Sequence, residues 1–176
     1  YCFNINDTAN LGIVLSNDMD IDNGIAKMLM ESQIDFSIVD KKDDFKKYEV
    51  LILPNTNELE EEMLSKLNNY LKCEGKLLIT GDSSYSQKQG KFMLDLPVEY
   101  IEKSSYSHDF VLDGSKYLDE TVSSPFLMYD SATKTKLKRG VVLGNVYEPY
   151  FNRTYKQFCS HGPAPFKLKC AEYPAM

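Results

Sequence analysis

Short apolar runs separated by polar loops dominate the first half of the chain and predict buried β-strands. Residues 11–16 are almost entirely apolar and end at Asn17-Asp18, as a strand buried on both faces would. Residues 50–53 and 76–80 predict two further strands. Residues 34–39 alternate between apolar and polar positions, which indicates a half-buried strand at the edge of a sheet.

Apolar residues at helical spacing predict a helix after the first strand and another before the strand at 76–80. The first helix carries Ile21, Ile25, Met28 and Leu29, and the second carries Leu59, Met63, Leu67 and Leu71. Asn57 is expected to cap the second helix, and Gly75 is expected to end it in a left-handed conformation.

The order of these elements predicts an α/β fold. Strands and helices that alternate with short connections favour parallel pairing and right-handed crossovers, and therefore a doubly wound, mostly parallel sheet. The sheet core is expected to span about residues 11–84. Short strands are expected at 98–101, 110–112 and 140–143, within an otherwise irregular C-terminal extension of about residues 85–176. We interpret residues 1–176 as a single α/β domain.

Composition and charge exclude several classes of function. A formal charge of −6 without a Lys/Arg-rich stripe disfavours nucleic acid as a partner. No apolar run approaches the ~18 residues of a membrane-spanning helix. Four dispersed cysteines and two histidines predict neither a metal site nor a cofactor, although a disulfide between Cys159 and Cys170 stays open.

Ligands of parallel α/β sheets collect beyond the carboxyl ends of the strands, which draws attention to the loop after residue 80. Its sequence, Gly-Asp-Ser-Ser-Tyr at 81–85, has the first glycine and the serine of a nucleophile elbow. It lacks the second glycine, and Tyr85 would crowd the turn. One alternative function is therefore a small serine hydrolase or amidase that uses Ser83 as nucleophile and His161 as base. Another is a small-ligand module of flavodoxin type, although no loop offers a phosphate cradle.

Residues 148–155 combine aromatic side chains with an arginine and a proline, a composition that suits an interface hot spot. A loop that wraps the core of its own domain would have the same composition. The pattern leaves both interpretations open.

Residues 149–154, followed by Phe-Cys-Ser-His at 158–161 and by Pro163 and Pro165, resemble a segment of certain bacterial glycoside hydrolases. In those proteins a TIM barrel precedes a domain similar to the β-galactosidase trimerisation domain. The resemblance implies a flavodoxin-like sheet of the class I glutamine amidotransferase type. The nucleophilic cysteine of that fold corresponds to Ser83 here, so the resemblance implies that catalysis by the domain is lost.

The resemblance predicts a noncatalytic accessory domain that acts in subunit or domain association. The family domain continues beyond the position of Met176, so the chain is expected to be a fragment of a larger multidomain enzyme, itself a glycoside hydrolase. Expected partners are the catalytic barrel of the same protein and further copies of the chain, with carbohydrate reached through the parent enzyme. The contact residues we predict are Tyr150, Phe151, Arg153 and His161. The compartment, bacterial cytoplasm or periplasm, stays undecided.

Overall fold

The computed structural model describes residues 8–56, 58–114, 123–159 and 162–175. The chain divides into two compact units, residues 1–95 and residues 96–176. No helix in the described ranges is long and apolar enough to cross a membrane.

The first unit contains a four-stranded, all-parallel sheet with the strand order β2-β1-β3-β4. The strands are β1 (Leu11–Val14), β2 (Ser37–Val39), β3 (Val50–Pro54) and β4 (Lys76–Thr80). The predicted α/β fold with a parallel sheet is thus confirmed. Strand β2 begins three residues later than the alternation suggested, because Ile34 and Asp35 are exposed outside the ladder.

Helix α1 (Met19–Glu31) follows β1, and its first turn is capped by Asp18, whose carboxylate accepts hydrogen bonds from the backbone of Asp20 and Ile21. Ile21, Ile25 and Leu29 are half-buried as predicted. Met28 is 67% exposed, so its place on the predicted core face is wrong. Met28 is exposed because it lies at the flank of the apolar stripe of α1 that faces the sheet.

Helix α2 (Glu61–Lys72) buries Leu67 and Tyr70. It begins after Glu60 without a side-chain cap, and the predicted cap Asn57 lies outside the described residues. The left-handed residue after the helix is Glu74, with φ 65°, and not Gly75 as the sequence suggested. Gly75 serves a different purpose, because a Cβ there would overlap the ring of Tyr70.

A short hairpin of β5 (Tyr85–Ser86) and β6 (Lys91–Phe92) follows β4 and completes the first unit. Its two aromatic side chains, Tyr85 and Phe92, meet edge to face with ring centroids 6.1 Å apart.

The second unit consists of antiparallel strands. Its first pair is β7 (Val98–Lys103) with β10 (Thr133–Leu137), and a three-stranded sheet has the order β11-β8-β9. The remaining bounds are β8 (Asp109–Asp113), β9 (Phe126–Met128) and β11 (Gly144–Tyr147). The core of this unit contains Phe110, Val111, Val146, Ala164 and Tyr173.

This region contains more strand than the sequence predicted. Strands β7 and β8 confirm the predictions at 98–101 and 110–112. The strand predicted at 140–143 is wrong, because pairing with β8 begins only at Gly144, opposite Asp113. Gly140 adopts φ 104° and Val141 is 79% exposed, so this apolar run belongs to the turn that leads into β11.

Candidate functional site

The loop after β4 contains Ser83, the nucleophile of the alternative hydrolase hypothesis. Ser83 is fully buried. Its hydroxyl accepts a hydrogen bond from the Thr56 N–H (2.9 Å) and lies 2.8 Å from the Thr80 carbonyl oxygen and 2.9 Å from that of Leu53. The side chain therefore ties the loops after β3 and β4 together. The prediction of Ser83 as a nucleophile is not supported, because a substrate does not reach a fully buried hydroxyl with these bonds.

Several backbone positions at this edge of the sheet adopt left-handed conformations. Ser84 has φ 66°, Gly81 has φ 59° and Asn55 has φ 36°. The Asn55 side chain accepts a hydrogen bond from the Asp82 N–H (3.1 Å), which holds the turn. Within the described residues the buried hydroxyl of Ser84 has no hydrogen-bond partner. The two loops at this edge are thus joined by hydrogen bonds and carry a buried hydroxyl, that of Ser84.

Residues 149–166, which we call the aromatic segment, are held by contacts within the segment and by hydrogen bonds to the loop before β8. The Tyr150 N–H donates to the Pro165 carbonyl oxygen (3.0 Å), and Pro149 forms an isolated bridge with Phe166. The amide of Asn152 accepts from the Ser107 N–H and donates to the Ser105 carbonyl oxygen, both at 2.8 Å. These contacts hold residues 149–152 in place just before the exposed part of the segment.

A tight turn from Thr154 to Gln157 presents that exposed part. The Thr154 N–H donates to the Gln157 carbonyl oxygen (2.8 Å), and the Gln157 N–H donates to the Thr154 carbonyl and hydroxyl oxygens (3.2 and 3.1 Å). Tyr155 at the tip of the turn is 97% exposed, and Phe158 just after it is 64% exposed. The turn therefore holds two aromatic side chains in water.

Arg153, Thr154, Tyr155 and Phe158 line an open pocket of about 450 Å³, which we call the aromatic pocket. Its lining combines two aromatic rings with a guanidinium and a hydroxyl group.

The predicted contact residues have different environments. Tyr150 is 55% exposed, Arg153 is exposed and lines the aromatic pocket, and Phe151 is half-buried. His161 lies outside the described residues. Tyr155 and Phe158 were not among the predicted contacts, because the aromatic composition of 148–158 does not tell which rings face water.

A charged cluster stands at the base of the aromatic segment. Lys167 Nζ donates to Glu148 Oε2 and to the Tyr106 hydroxyl, each at 2.9 Å. These two hydrogen bonds, that of Tyr106 being the stronger influence, raise the pKa of Lys167. Burial, with the negative charges of Asp109 and Glu148, raises the pKa of Tyr173. Sequence reasoning missed this cluster, because its members are distant along the chain, Tyr106 and Lys167 by 61 residues.

Within the described ranges, no group of three or more His, Cys, Asp and Glu side chains is arranged to hold a metal ion. Cys159 and Cys170 are free thiols in the structure, so the disulfide that the sequence left open is not formed.

Comparison with known proteins relates the chain to glycoside hydrolases. Residues 26–104 match the family model of the beta-galactosidase trimerisation domain. The structure resembles α-L-fucosidase isoenzyme 2 from Paenibacillus thiaminolyticus, with a TM-score of 0.89 and 27% identity over 96% of this chain. The predicted resemblance to the β-galactosidase trimerisation domain is therefore confirmed.

Two β-galactosidases share the fold at lower identity. One is the beta-galactosidase from Bacillus circulans sp. alkalophilus, with a TM-score of 0.64 and 12% identity over 84% of this chain. The other is a catalytic mutant of the GH42 beta-galactosidase Gan42B from G. stearothermophilus, with a TM-score of 0.59 and 17% identity over 83% of this chain. The chain spans only about a quarter of each of these proteins, 25–27% of their length. No curated protein sequence matches the chain.

Proposed function

We propose that this chain is a noncatalytic accessory domain of a glycoside hydrolase that acts in subunit or domain association. The observation that carries the proposal is the match of residues 26–104 to the trimerisation-domain family. The fold likeness to the fucosidase, of which the chain spans 27%, supports a place within a larger multidomain enzyme. Its partners are then the catalytic barrel of the same protein, further copies of the chain, or both, and carbohydrate is reached through the parent enzyme.

The finer fold that we propose is flavodoxin-like, of the class I glutamine amidotransferase type. The all-parallel order β2-β1-β3-β4 supports it, because right-handed crossovers then place α1 and α2 on opposite faces of the sheet. The state of Ser83 supports the noncatalytic part of the proposal. In such a domain the nucleophile would stand on this loop, and here the hydroxyl is buried and bonded to both neighbouring loops.

We place the contact surface on the aromatic segment, with Tyr150, Phe151, Arg153 and His161 as contact residues. Exposed tyrosine and arginine side chains dominate binding energy at many protein interfaces. The hydrogen bonds of Tyr150 and Asn152 hold this part of the segment in place before a partner arrives, which lowers the entropy cost of association.

Multi-angle light scattering after size-exclusion chromatography, over a series of protein concentrations, tests the proposal. We expect a dimer or trimer for the unsubstituted chain. Arg153→Ala and His161→Ala should each raise the dissociation constant by about tenfold, as hot-spot truncations do. The matched control is Arg139→Ala, at the other arginine of the chain, which should assemble like the parent.

Two results would count against these assignments. If Arg153→Ala and His161→Ala both assemble like the parent, the aromatic segment is not the contact surface. If the parent chain stays monomeric at every concentration, self-association by this chain is refuted. Association with the catalytic barrel is then tested by copurifying the chain with the separately expressed catalytic domain of the larger enzyme.

A further inference from the structure

Strand β4 lies at one edge of the parallel sheet. Within the part of the chain that the structure describes, β4 pairs with β3 and with no other strand. Its sequence, Lys-Leu-Leu-Ile-Thr, contains no proline and a single charged residue. Natural proteins usually protect an edge strand with charges, a proline or a covering loop, because an unprotected edge binds further strands. The outer edge of β4 therefore indicates a place where another strand can pair.

The hydrogen bonds of β4 to its neighbour show which backbone groups face outward. The Lys76 N–H donates to the Glu49 carbonyl oxygen (3.4 Å), and the Thr80 carbonyl oxygen accepts a hydrogen bond from the loop after β3. Because the direction of these groups alternates along a strand, Leu77 and Ile79 turn their N–H and C=O groups away from β3. The outer edge thus offers two donors and two acceptors to another strand.

Leu78 lies at the end of a row of apolar residues that crosses the sheet. The registers place Leu78 beside Ile52 of β3, Ile52 beside Ile13 of β1, and Ile13 beside Ile38 of β2. Ile13 and Ile52 are buried, whereas Leu78 is 54% exposed. A strand added to β4 would place its own side chain beside Leu78 and remove apolar surface from water.

This edge is complementary to itself. When two copies of β4 lie antiparallel with Leu78 opposite Leu78 of the second copy, Leu77 comes opposite Ile79 of the second copy. Each Leu77–Ile79 pair exchanges two backbone hydrogen bonds, so this register satisfies all the outward groups with four bonds. The two leucines form the non-hydrogen-bonded pair at the two-fold axis, where side chains approach most closely.

The distribution of charge permits this contact between copies of an acidic chain. The formal charge of −6 makes the copies repel each other, so a contact must avoid like charges. In the paired part the charged residue is Lys76, which comes opposite Thr80 of the second copy. Glu74 adopts φ 65° and lies beyond the end of β4, where the chain turns away from the line of the strand.

The other edge of the sheet lacks these properties. Strand β2 has three residues, and the N–H of the next residue, Asp40, is bonded to the carboxylate of Asp43 (2.7 Å). Residues 40–44 are all charged, which is a common protection of an edge strand. The edge of β2 is thus protected, whereas that of β4 is apolar.

We infer that β4 binds β4 of a second copy of this chain, antiparallel and centred on Leu78. The two four-stranded sheets then join into one sheet of eight strands about a two-fold axis. The inference rests on the proposed association role and names a contact surface in addition to the aromatic segment. The contact is small, so we expect a dissociation constant between about 10 μM and 1 mM.

The test combines two charge variants, Leu78→Lys and Leu78→Glu, in light scattering at chain concentrations up to roughly 1 mM. The unsubstituted chain should form dimers. Each variant alone brings like charges together at the two-fold axis and should raise the dissociation constant at least about tenfold. An equimolar mixture places Lys opposite Glu and should restore association. Because an unfolded variant could not recover in the mixture, restored association also shows that both variants are folded.

The matched control is the same pair of substitutions at Ile38, which is 48% exposed at the other end of the same row. Ile38→Lys and Ile38→Glu should each associate like the unsubstituted chain, and mixing them should change nothing. This control separates a specific contact at β4 from a general effect of charge on the sheet.

Amide hydrogen exchange gives a local measurement of the same contact. The N–H groups of Leu77 and Ile79 should exchange more slowly at high than at low concentration of the unsubstituted chain. The equimolar mixture of the two Leu78 variants should show the same slowing, and each variant alone should not. Leu78 directs its own N–H to β3, so its exchange serves as the internal reference.

Several results would overturn the inference. It is wrong if the Leu78 variants associate as tightly as the unsubstituted chain, or if mixing them does not restore association. It is also wrong if the chain forms trimers only, because a two-fold contact closes at two chains. A chain that stays monomeric at every concentration refutes it as well.

The same samples separate this inference from the proposed contact surface. If Arg153→Ala and His161→Ala weaken assembly while the Leu78 variants do not, the inference fails and the association proposal stands. If the Leu78 variants alone weaken assembly, the inference stands and the aromatic segment is not the contact surface between copies.

Discussion

Gly75 and Tyr70 give a sharp test of how the first unit is packed. The ring of Tyr70 lies so close to Gly75 that an added Cβ would overlap its Cε1, Cζ and Cε2 atoms. The Tyr70 hydroxyl lies 3.0 Å from the Glu49 carbonyl oxygen and 3.2 Å from that of Lys76, so the ring is held at the start of β3 and β4. The perturbation we choose is Gly75→Ala, in the parent chain and in a Tyr70→Leu background.

The two backgrounds should give effects of opposite sign. In the parent, the new methyl group pushes against a buried ring, and overpacking of this kind costs about 1–3 kcal/mol. Gly75 does not have a positive φ, so alanine is compatible with its backbone. Leucine at position 70 lacks the overlapping ring atoms, and Gly75→Ala should then stabilise the chain by about 0.4–1 kcal/mol through the entropy of the unfolded state.

The assay is urea unfolding followed by circular dichroism for the parent, both single variants and the double variant. The coupling free energy between the two positions should be at least about 1.5 kcal/mol. An equal cost of Gly75→Ala in both backgrounds would refute the packing argument. The cause would then lie in the backbone at Gly75 rather than in the ring of Tyr70.

Two further predictions concern the edge of the sheet and a surface ion pair. Ser84→Gly should raise the free energy of unfolding by roughly 1 kcal/mol, because it removes a left-handed non-glycine residue and a buried unpaired hydroxyl. The greater chain entropy of glycine in the unfolded state offsets part of this gain. A lower urea midpoint would contradict the prediction. Glu49 and Lys76 form an ion pair at 2.7 Å, and the bond to Lys76 lowers the pKa of Glu49. The stabilisation by this pair is therefore complete above the ordinary Glu pKa of 4.5. It is lost as the pH falls through the lower pKa that Glu49 has in the folded chain. Lys76→Met should flatten this part of the pH dependence of the unfolding free energy, and an unchanged profile would show that the pair contributes nothing.

The sheet of the first unit was predictable because burial on both faces leaves a local signature. Strands β1 and β3 are short apolar runs whose residues are buried by neighbours on each side, so the pattern alone locates them. Strand β10 has no such signature. Its sequence Thr-Lys-Thr-Lys-Leu is polar, and Lys134 is mostly buried and pairs with Glu102 on β7, 3.0 Å away. That partner is 32 residues distant along the chain, so no local pattern could indicate it.

Distant partners also explain why the local sequence around Ser83 does not indicate its burial. Its sequence neighbours suggest an elbow, and a serine after a glycine at the end of a strand is a reasonable nucleophile from local pattern alone. What decides its role is the Thr56 N–H and the Leu53 carbonyl oxygen, which come from the preceding strand and its loop. A hydroxyl whose partners belong to another strand holds two loops together, and this non-local bonding is invisible in the sequence.

In the aromatic segment, some features follow from the local sequence and others depend on distant partners. Its composition singled out the region and two exposed side chains, Tyr150 and Arg153. Which further rings remain in water depends on the turn between Thr154 and Gln157 and on the side-chain bonds of Asn152 to residues about 45 positions earlier. Pro149 and Ala164 of the same segment are fully buried and Phe166 packs edge to face against Phe110, whereas Tyr155 and Phe158 are exposed. The segment therefore packs on the core and also presents aromatic side chains to water, and its role in association stays a prediction.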